Sequence, residues 1–303
     1  WIFIEENLFK KKFKKFWTFF ENTPLRPLLS LSYNSWQKKV EKYVNNYLIK
    51  KEQIDIVHRI TYVGYRFPFK VTNQKIKLVF GPVGGTENFN IKFFKFLTTK
   101  IKIYYFLRNV LNQIQLSFSK KINDFLNREN CYVLAAHSKI ALDLKKYYGV
   151  NSKIFSEICL DHGLKQKAPY ARNDILKIIW VGKFDSSKNL PPLLRAKHNL
   201  QNKGINFELT ICGNGDQEKN WKNYAKNLKL KNINWEGKIS RKEVLHKMSK
   251  SHVYVTTSLK DLTSTTLIEA ISSGCVIIAT PLTGFKDALG NTSNYFIDIK
   301  NKR

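Results

Sequence analysis

From residue 175 onward, apolar runs of strand length alternate with segments whose apolar residues recur every three or four positions. Ile175 to Val181, Phe207 to Cys212, the short Ile233-Asn234-Trp235, His252 to Thr257 and Cys275 to Ala279 read as strands. Between them, Leu190 to Leu200, Glu218 to Leu228, Arg241 to Ser249 and Thr266 to Ser273 have helical spacing. The N-terminal half is patterned more sparsely. Ile54 to His58 reads as a buried strand, Lys75 to Phe80 and Cys131 to Ala136 as two more, and Lys139 to Tyr148 as a helix. Strands alternating with helices predict an α/β chain of doubly wound parallel sheets, whose ligands sit at the carboxyl ends of the strands. The polar, irregular stretch Leu160 to Asp174, with Gly163 and Pro169, predicts a linker. Domains are therefore expected at residues 1–170 and 171–303.

One early segment has a different character. Phe9, Phe13, Phe16, Trp17 and Phe20 share one helical face, with Lys10, Lys11, Lys12, Lys14 and Lys15 on its flanks and back, and Pro24 and Pro27 ending it. Such a helix suits an anionic membrane surface, although a domain helix packing an aromatic stripe on a sheet has the same pattern. Composition sharpens the question. Lys and Arg total 52 against 23 Asp and Glu, a net charge of +29, so the surface carries a strong positive field. Its partners are anionic membranes, phosphorylated substrates or nucleic acid. Codon bias in an AT-rich genome would also enrich Lys, Asn, Ile, Phe and Tyr without any function.

A nucleic-acid reader is the rival class, but the chain has no reader motif and its basic residues are dispersed, so no nucleic acid is expected as a partner. No apolar run approaches the roughly 20 residues that cross a bilayer, and no signal peptide is visible. A cytoplasmic protein lying on the inner membrane face is the expectation. Cys131, Cys159, Cys212 and Cys275 are far apart and read as free thiols. No His/Asp/Glu cluster has metal-ligand spacing, so neither a metal nor a bound cofactor is expected. The chain opens on Trp1 and stops shortly after Phe285-Lys286-Asp287, and truncation at both ends is expected.

The chemistry concentrates in Lys260 to Ala270. Asp261 and Glu269 are two carboxylates eight positions apart, with Thr263, Ser264, Thr265 and Thr266 between them. This segment falls at a strand-to-helix turn, where unpaired backbone N–H groups and the helix dipole attract anions. Asp261 is placed before the helix and Glu269 about one turn inside it; plain helix capping and a solvated helix residue are the alternatives. Two further turns follow strands and face the same crevice. One runs from Val181 through Gly182, Lys183 and Lys188 to Asn189; the other is Cys212-Gly213-Asn214-Gly215-Asp216. Gly213 and Gly215 allow close backbone approach, and the two lysines are cations beside a helix start, or else ordinary surface lysines. In the first half, the loop His58 to Pro68 is dense in polar and aromatic groups, and Lys75 to Phe80 opens into the glycine-rich turn Gly81 to Glu87. His58 closes a crevice-facing strand and is a candidate substrate ligand, though a lone histidine is more often structural.

These motifs resemble retaining glycosyltransferases of the GT-B fold, glycosyltransferase family 4. That family carries two acids flanking seven residues, then Ala, a small residue, Gly and an apolar strand, as Asp261 to Ala279 does. Asp261 stands where Glu is commoner, and Leu262 where Gly is usual. The loop Thr61-Tyr62-Val63-Gly64-Tyr65-Arg66 and the turn Gly81-Pro82-Val83-Gly84-Gly85 resemble one branch of it. The resemblance implies two Rossmann-like domains facing a crevice, with the second binding a nucleotide-diphosphate sugar. Lys183 and Lys188 would hold the diphosphate, Glu269 the ribose hydroxyls and Asp261 the transferred sugar. Gly182, Gly213, Asn214, Gly215, Ser264, Thr265 and Thr266 would line the donor site. His58, Arg66, Gly84 and Gly85 would face the crevice or a glycan or lipid-linked acceptor. Transfer without a metal, in surface polysaccharide synthesis, is the implied activity. A sugar-nucleotide epimerase on the same fold and an inactive scaffold are the rivals.

Overall fold

The computed structural model describes residues 29–60, 64–158, 175–290 and 295–297. The aromatic segment at 9–20, the loop residues Thr61 to Val63 and the expected linker at 160–174 lie outside the described residues. Contacts divide the chain into two compact units. One comprises residues up to 155 without 89–102 and 137–139; the other comprises those two segments and residues from 156 on.

The first unit is built on a parallel sheet of order β1-β2-β3-β4. Its strands are β1 (Ile56–Arg59), β2 (Lys77–Val83), β3 (Cys131–Ala135) and β4 (Lys153–Ile154). The longer helices of this half of the chain, among the described residues, are α1 (Leu29–Tyr43), α2 (Thr99–Phe118), α3 (Lys120–Leu126) and α4 (Ser138–Tyr148). Phe80 packs edge-on against Phe125, a contact that ties the central strand to α3.

Two expectations need correction here. The strand at 54–58 is an edge strand rather than a buried one: Ile56 is 60% exposed, and only Arg59 is buried. The strand at 75–80 does not open into a turn at Gly81 but continues to Val83, with a register shift against β3 between Phe80 and Val83. Gly81 has φ 130°, and a Cβ there would overlap the Leu134 carbonyl, so the glycine serves a bulge in the ladder. Helices α1, α2 and α3 are not predicted by the pattern.

The second unit holds β5 (Lys177–Val181), β6 (Glu208–Cys212), β7 (Ile233–Gly237), β8 (Val253–Thr256), β9 (Val276–Ala279) and β10 (Tyr295–Phe296). Their spatial order is β10-β9-β8-β5-β6-β7, all parallel. Counted from β5, this is the order 3-2-1-4-5-6 of the doubly wound fold, with the order reversing between β5 and β8. Helices α5 (Pro191–Asn202), α6 (Glu218–Asn227), α7 (Arg241–Lys250), α8 (Thr265–Ser272) and α9 (Thr283–Leu289) complete it. Their positions agree with the apolar spacing to within a few residues; α9 and β10 are not anticipated.

Alternation along β5 divides the core in two. Ile178 and Trp180 join Leu193, Leu194 and Trp221 of α5 and α6 on one face. Ile179 turns to the other face, with Met248 of α7, Leu267 of α8 and Phe285 of α9. Helices thus cover both faces, as a parallel sheet requires. Local chemistry sets the helix starts: Pro191 and Pro192 open α5, and Ser240 and Glu243 form a reciprocal capping box on α7.

The second unit also buries a cation. Lys197 of α5 is 3% exposed, donates to the Phe207 carbonyl at 2.6 Å and sits 4.0 Å over the Phe207 ring. Burial pushes its pKa down from 10.5 to about 8. Below pH 8 the ammonium is charged in both states. Between about pH 8 and 10.5 the folded protein has released a proton that the unfolded chain still holds, so this group makes stability rise with pH there. The wild type should therefore gain melting temperature on Lys197→Met across that window. A constant difference in midpoint from pH 7 to pH 10.5 would reject this account of Lys197.

Candidate functional site

The reversal of strand order places the ends of β5 and β8 side by side, and the turns that leave them are interlocked. After β5, the Asp185 carboxylate accepts from the backbone N–H groups of Ser187 and Lys188 and from the Ser187 hydroxyl, which winds residues 185–188 into a tight turn. The Ser187 carbonyl then accepts from the Leu259 amide at 2.7 Å, and the Lys188 carbonyl from the Thr257 hydroxyl at 2.9 Å. Trp180 donates its indole N–H to the same hydroxyl. The turn after β6 joins from the other side, through Gly182 N–H to the Cys212 carbonyl and Phe184 N–H to the Asn214 carbonyl.

The glycines of that turn have a more specific role than ligand approach. Gly213 has φ 137°, and a Cβ on it would overlap the Gly182 carbonyl oxygen; one on Gly215 would overlap the Phe184 carbonyl. The close approach in the structure is between the two turns. Asn214 is exposed beside them, as is Lys183. Gly284, opening α9, makes an equally close contact with the Leu262 carbonyl and so backs the acidic loop.

Asp261 does not cap α8. Its carboxylate pairs with the Lys188 ammonium at 2.5 Å, with side chains only 17% and 24% exposed. The cap is Ser264, which accepts from the Leu267 amide and is itself buried. Thr265 and Thr266 are the first helical residues, whose amides have no carbonyl within the helix to meet. Tyr254, buried beneath them, shares a hydrogen bond of 2.8 Å with the Thr266 hydroxyl, which lies 3.0 Å from that of Ser264. Burial raises the Tyr254 pKa far above its usual 10, so it is a neutral hydroxyl. Glu269 is not a solvated helix residue. It is 4% exposed and accepts from Arg241 Nε at 2.6 Å, Arg241 itself being half exposed at the start of α7.

Lys188, Asp261, Gly182, Gly213, Gly215 and the α8 N-terminus thus gather at one end of the second sheet. Arg241, Tyr254 and Thr257 were not among the residues the motifs singled out. A buried glutamate demands a cationic partner, which was the available signal for Arg241, but the motif does not say which of many basic residues supplies it.

The remaining candidates lie in the first unit. His58 Nε2 is 2.9 Å from the Gly81 carbonyl. Arg66 donates to Gln115 Oε1 at 2.5 Å and to the Gly85 carbonyl at 3.1 Å, and stacks 4.4 Å from the Tyr65 ring. Desolvation lowers the Arg66 pKa, although the guanidinium stays charged at neutral pH. Gly84 bridges to Gly64 and accepts from Tyr65 N–H. The loop and the glycine turn are therefore one assembly. A cleft of about 510 Å³ beside Arg66 is lined by Gln37, Glu41, Pro68 and Lys121. Among the described residues, no group of three or more His, Cys, Asp or Glu side chains could hold a metal ion.

This architecture has known counterparts. The chain matches the solved GtfA/B complex with a TM-score of 0.52, at 15% identity over 86% of this chain and 49% of that one. It matches the lipopolysaccharide outer core galactosyltransferase WaaB, apo form, at 0.50, with 16% identity over 83% and 62%. It matches TarM of S. aureus at 0.50, with 17% identity over 75% and 46%. Identities this low show the fold alone, the GT-B fold of two Rossmann-like sheets. The chain spans less than two thirds of each of these solved chains. Residues 165–303 match the model of the family Glycosyl transferases group 1. A comparison with curated proteins gives no match.

The interlock of the turns is open to a direct test. Gly213→Ala adds a methyl where the Gly182 carbonyl lies, at a positive φ. It should cost about 1–3 kcal/mol of stability, read from the urea midpoint. An unchanged midpoint would mean that the two turns do not hold each other.

Proposed function

We propose that the protein transfers a sugar, with retention of its anomeric configuration, from a nucleotide-diphosphate donor to a glycan or lipid-linked acceptor in surface polysaccharide synthesis. The observation that carries this reading is the Lys188–Asp261 pair at the strand-order reversal of a sheet within the family-matched segment. Ligands of doubly wound sheets bind at that point. Among the fold relatives, WaaB is described as a lipopolysaccharide outer core galactosyltransferase, a role compatible with this reading.

Each residue then has a physical task. Breaking the bond to the donor leaves negative charge on the departing diphosphate. Lys183 and Lys188, with the first amides of α8 at Thr265 and Thr266, would meet that charge as it develops, a role that needs no metal. Asp261 holds Lys188 through one oxygen and has a second with which to accept from a sugar hydroxyl. Glu269, oriented by Arg241, would accept from the ribose hydroxyls. Gly182, Gly213, Asn214, Gly215 and Ser264 would shape the floor of the donor site. Arg66, His58, Gly84 and Gly85 are assigned to the acceptor side.

A thermal-shift panel of nucleoside diphosphates tests the donor site, since a ligand selective for the native state raises the midpoint by mass action. One diphosphate should stabilise the protein, and Glu269→Gln should weaken it by roughly 10- to 150-fold, the equivalent of about 1.5–3 kcal/mol of charge-assisted hydrogen bonding. Lys183→Ala and Lys188→Ala should lower turnover more than ground-state affinity. Retention of configuration in the product, read by NMR, and nucleotide release only when an acceptor is present separate retaining transfer from inversion and epimerisation. If no diphosphate shifts the midpoint, the donor-site assignment fails.

A further inference from the structure

Helix α2 is inside out. On the side turned to the protein it buries Asn112 and Leu116, and the Asn112 amide donates to the Thr86 carbonyl and the Asn88 side chain. On the opposite side Ile103, Leu107, Leu111, Ile114 and Phe118 recur at steps of four, four, three and four, each between 50% and 82% exposed. Phe106 and Val110 are exposed as well and widen the stripe. A surface helix ordinarily turns its apolar face to the core. Here that face points away from it, over 15 residues of rise or about 22 Å. Contiguous exposed apolar surface of this kind marks a docking site.

Charge identifies what docks. From Asn88 to Asn123 the sequence carries seven basic residues, among them Lys100, Lys102, Lys120 and Lys121, and no Asp or Glu. A second copy of this chain would bring +29 of the same sign, and the segment at Lys10 to Lys15 is equally basic. An anionic lipid surface offers opposite charge at its headgroups and apolar volume just beneath. We propose that α2 lies in the plane of an anionic bilayer, with the Ile103–Phe118 stripe inserted at the acyl boundary and the lysines at either end meeting phosphates. The helix lies on the membrane rather than across it: among the described residues, no helix is long and apolar enough to span. This attachment stands independently of the transfer chemistry.

Vesicle co-sedimentation of the whole chain tests it. The protein should sediment with vesicles of mixed phosphatidylglycerol and phosphatidylcholine, and not with phosphatidylcholine alone. The double variant Leu107→Glu, Leu111→Glu should reduce the bound fraction by about tenfold or more, and Lys120→Glu by about fivefold. Circular dichroism and the melting midpoint confirm that the variants fold. Should the double variant not fold, Ile114→Ser with Phe118→Ser takes its place on the same stripe. Wild-type protein indifferent to anionic vesicles overturns the proposal, as does a folded double variant that binds like wild type. So does loss of binding only when Lys11, Lys12, Lys14 and Lys15 become Glu, which would put the contact on the early segment. A wild-type dimer that the double variant converts to monomer, without vesicle binding, would assign the stripe to a second copy.

Discussion

A main-chain carbonyl, that of Gly182, lies where a side chain on residue 213 would begin, and the site of the second unit depends on that contact. Because the two turns meet backbone to backbone, the loop after β5 has a firm wall on one side. On the other it is bonded to Thr257 and Leu259 beyond β8. Lys188 is thus displayed from a loop fixed on both flanks, and Asp261 completes its placement. Hydrogen bonds of this kind are worth only about 0.5–1.5 kcal/mol each. Their joint effect is positional: they hold a flexible lysine, which has four rotatable bonds, within reach of one defined point.

Stability alone does not account for the two carboxylates. Bringing a glutamate to 4% exposure requires desolvation that the attraction of a half-exposed arginine only partly offsets. A leucine at residue 269 would pack against the same core of Leu267 and Ala270 at no such cost. The Lys188–Asp261 pair obeys the same arithmetic, since replacing buried pairs by apolar groups is often neutral or stabilising. Both pairs therefore need another reason to be where they are, and the proposed binding of a polar, anionic ligand at the end of the sheet would supply one.

The second unit was legible because its apolar runs are bounded by glycines and caps, and because its inner strands β5, β6 and β8 are buried on both faces. Ile179 and Trp180 must both be apolar for opposite neighbours, so the run is unbroken and the reading unambiguous. The site motif was legible as spacing. What spacing could not convey was partnership: Arg241 lies 28 positions from Glu269, and Lys188 lies 73 from Asp261, separations that only the topology closes. The first unit was read less well for physical reasons. Gly81 and Pro82 look like a turn but occupy a bulge inside β2, and Ile56 looks like core but sits at a sheet edge.

Helix α2, which the pattern does not predict, departs from the usual rule of helix periodicity. The rule that apolar positions face inward assumes water outside, and applied to this helix it places Ile103, Leu107 and Leu111 in the core. Instead the inward positions are Asn112, committed to the backbone of Thr86 and the amide of Asn88, and Leu116. The buried Asn112 amide is tolerable because its Nδ2 makes two hydrogen bonds, to the Thr86 carbonyl and Asn88 Oδ1, and a partner other than water on the outward stripe would account for its exposure. The same consideration changes the meaning of the net charge. Lysines spread by composition would give a diffuse field, but 36 consecutive residues without one carboxylate, centred on an exposed apolar helix, put charge and apolar surface in the same place. That coincidence is the step from a basic protein to one with a face of defined chemistry.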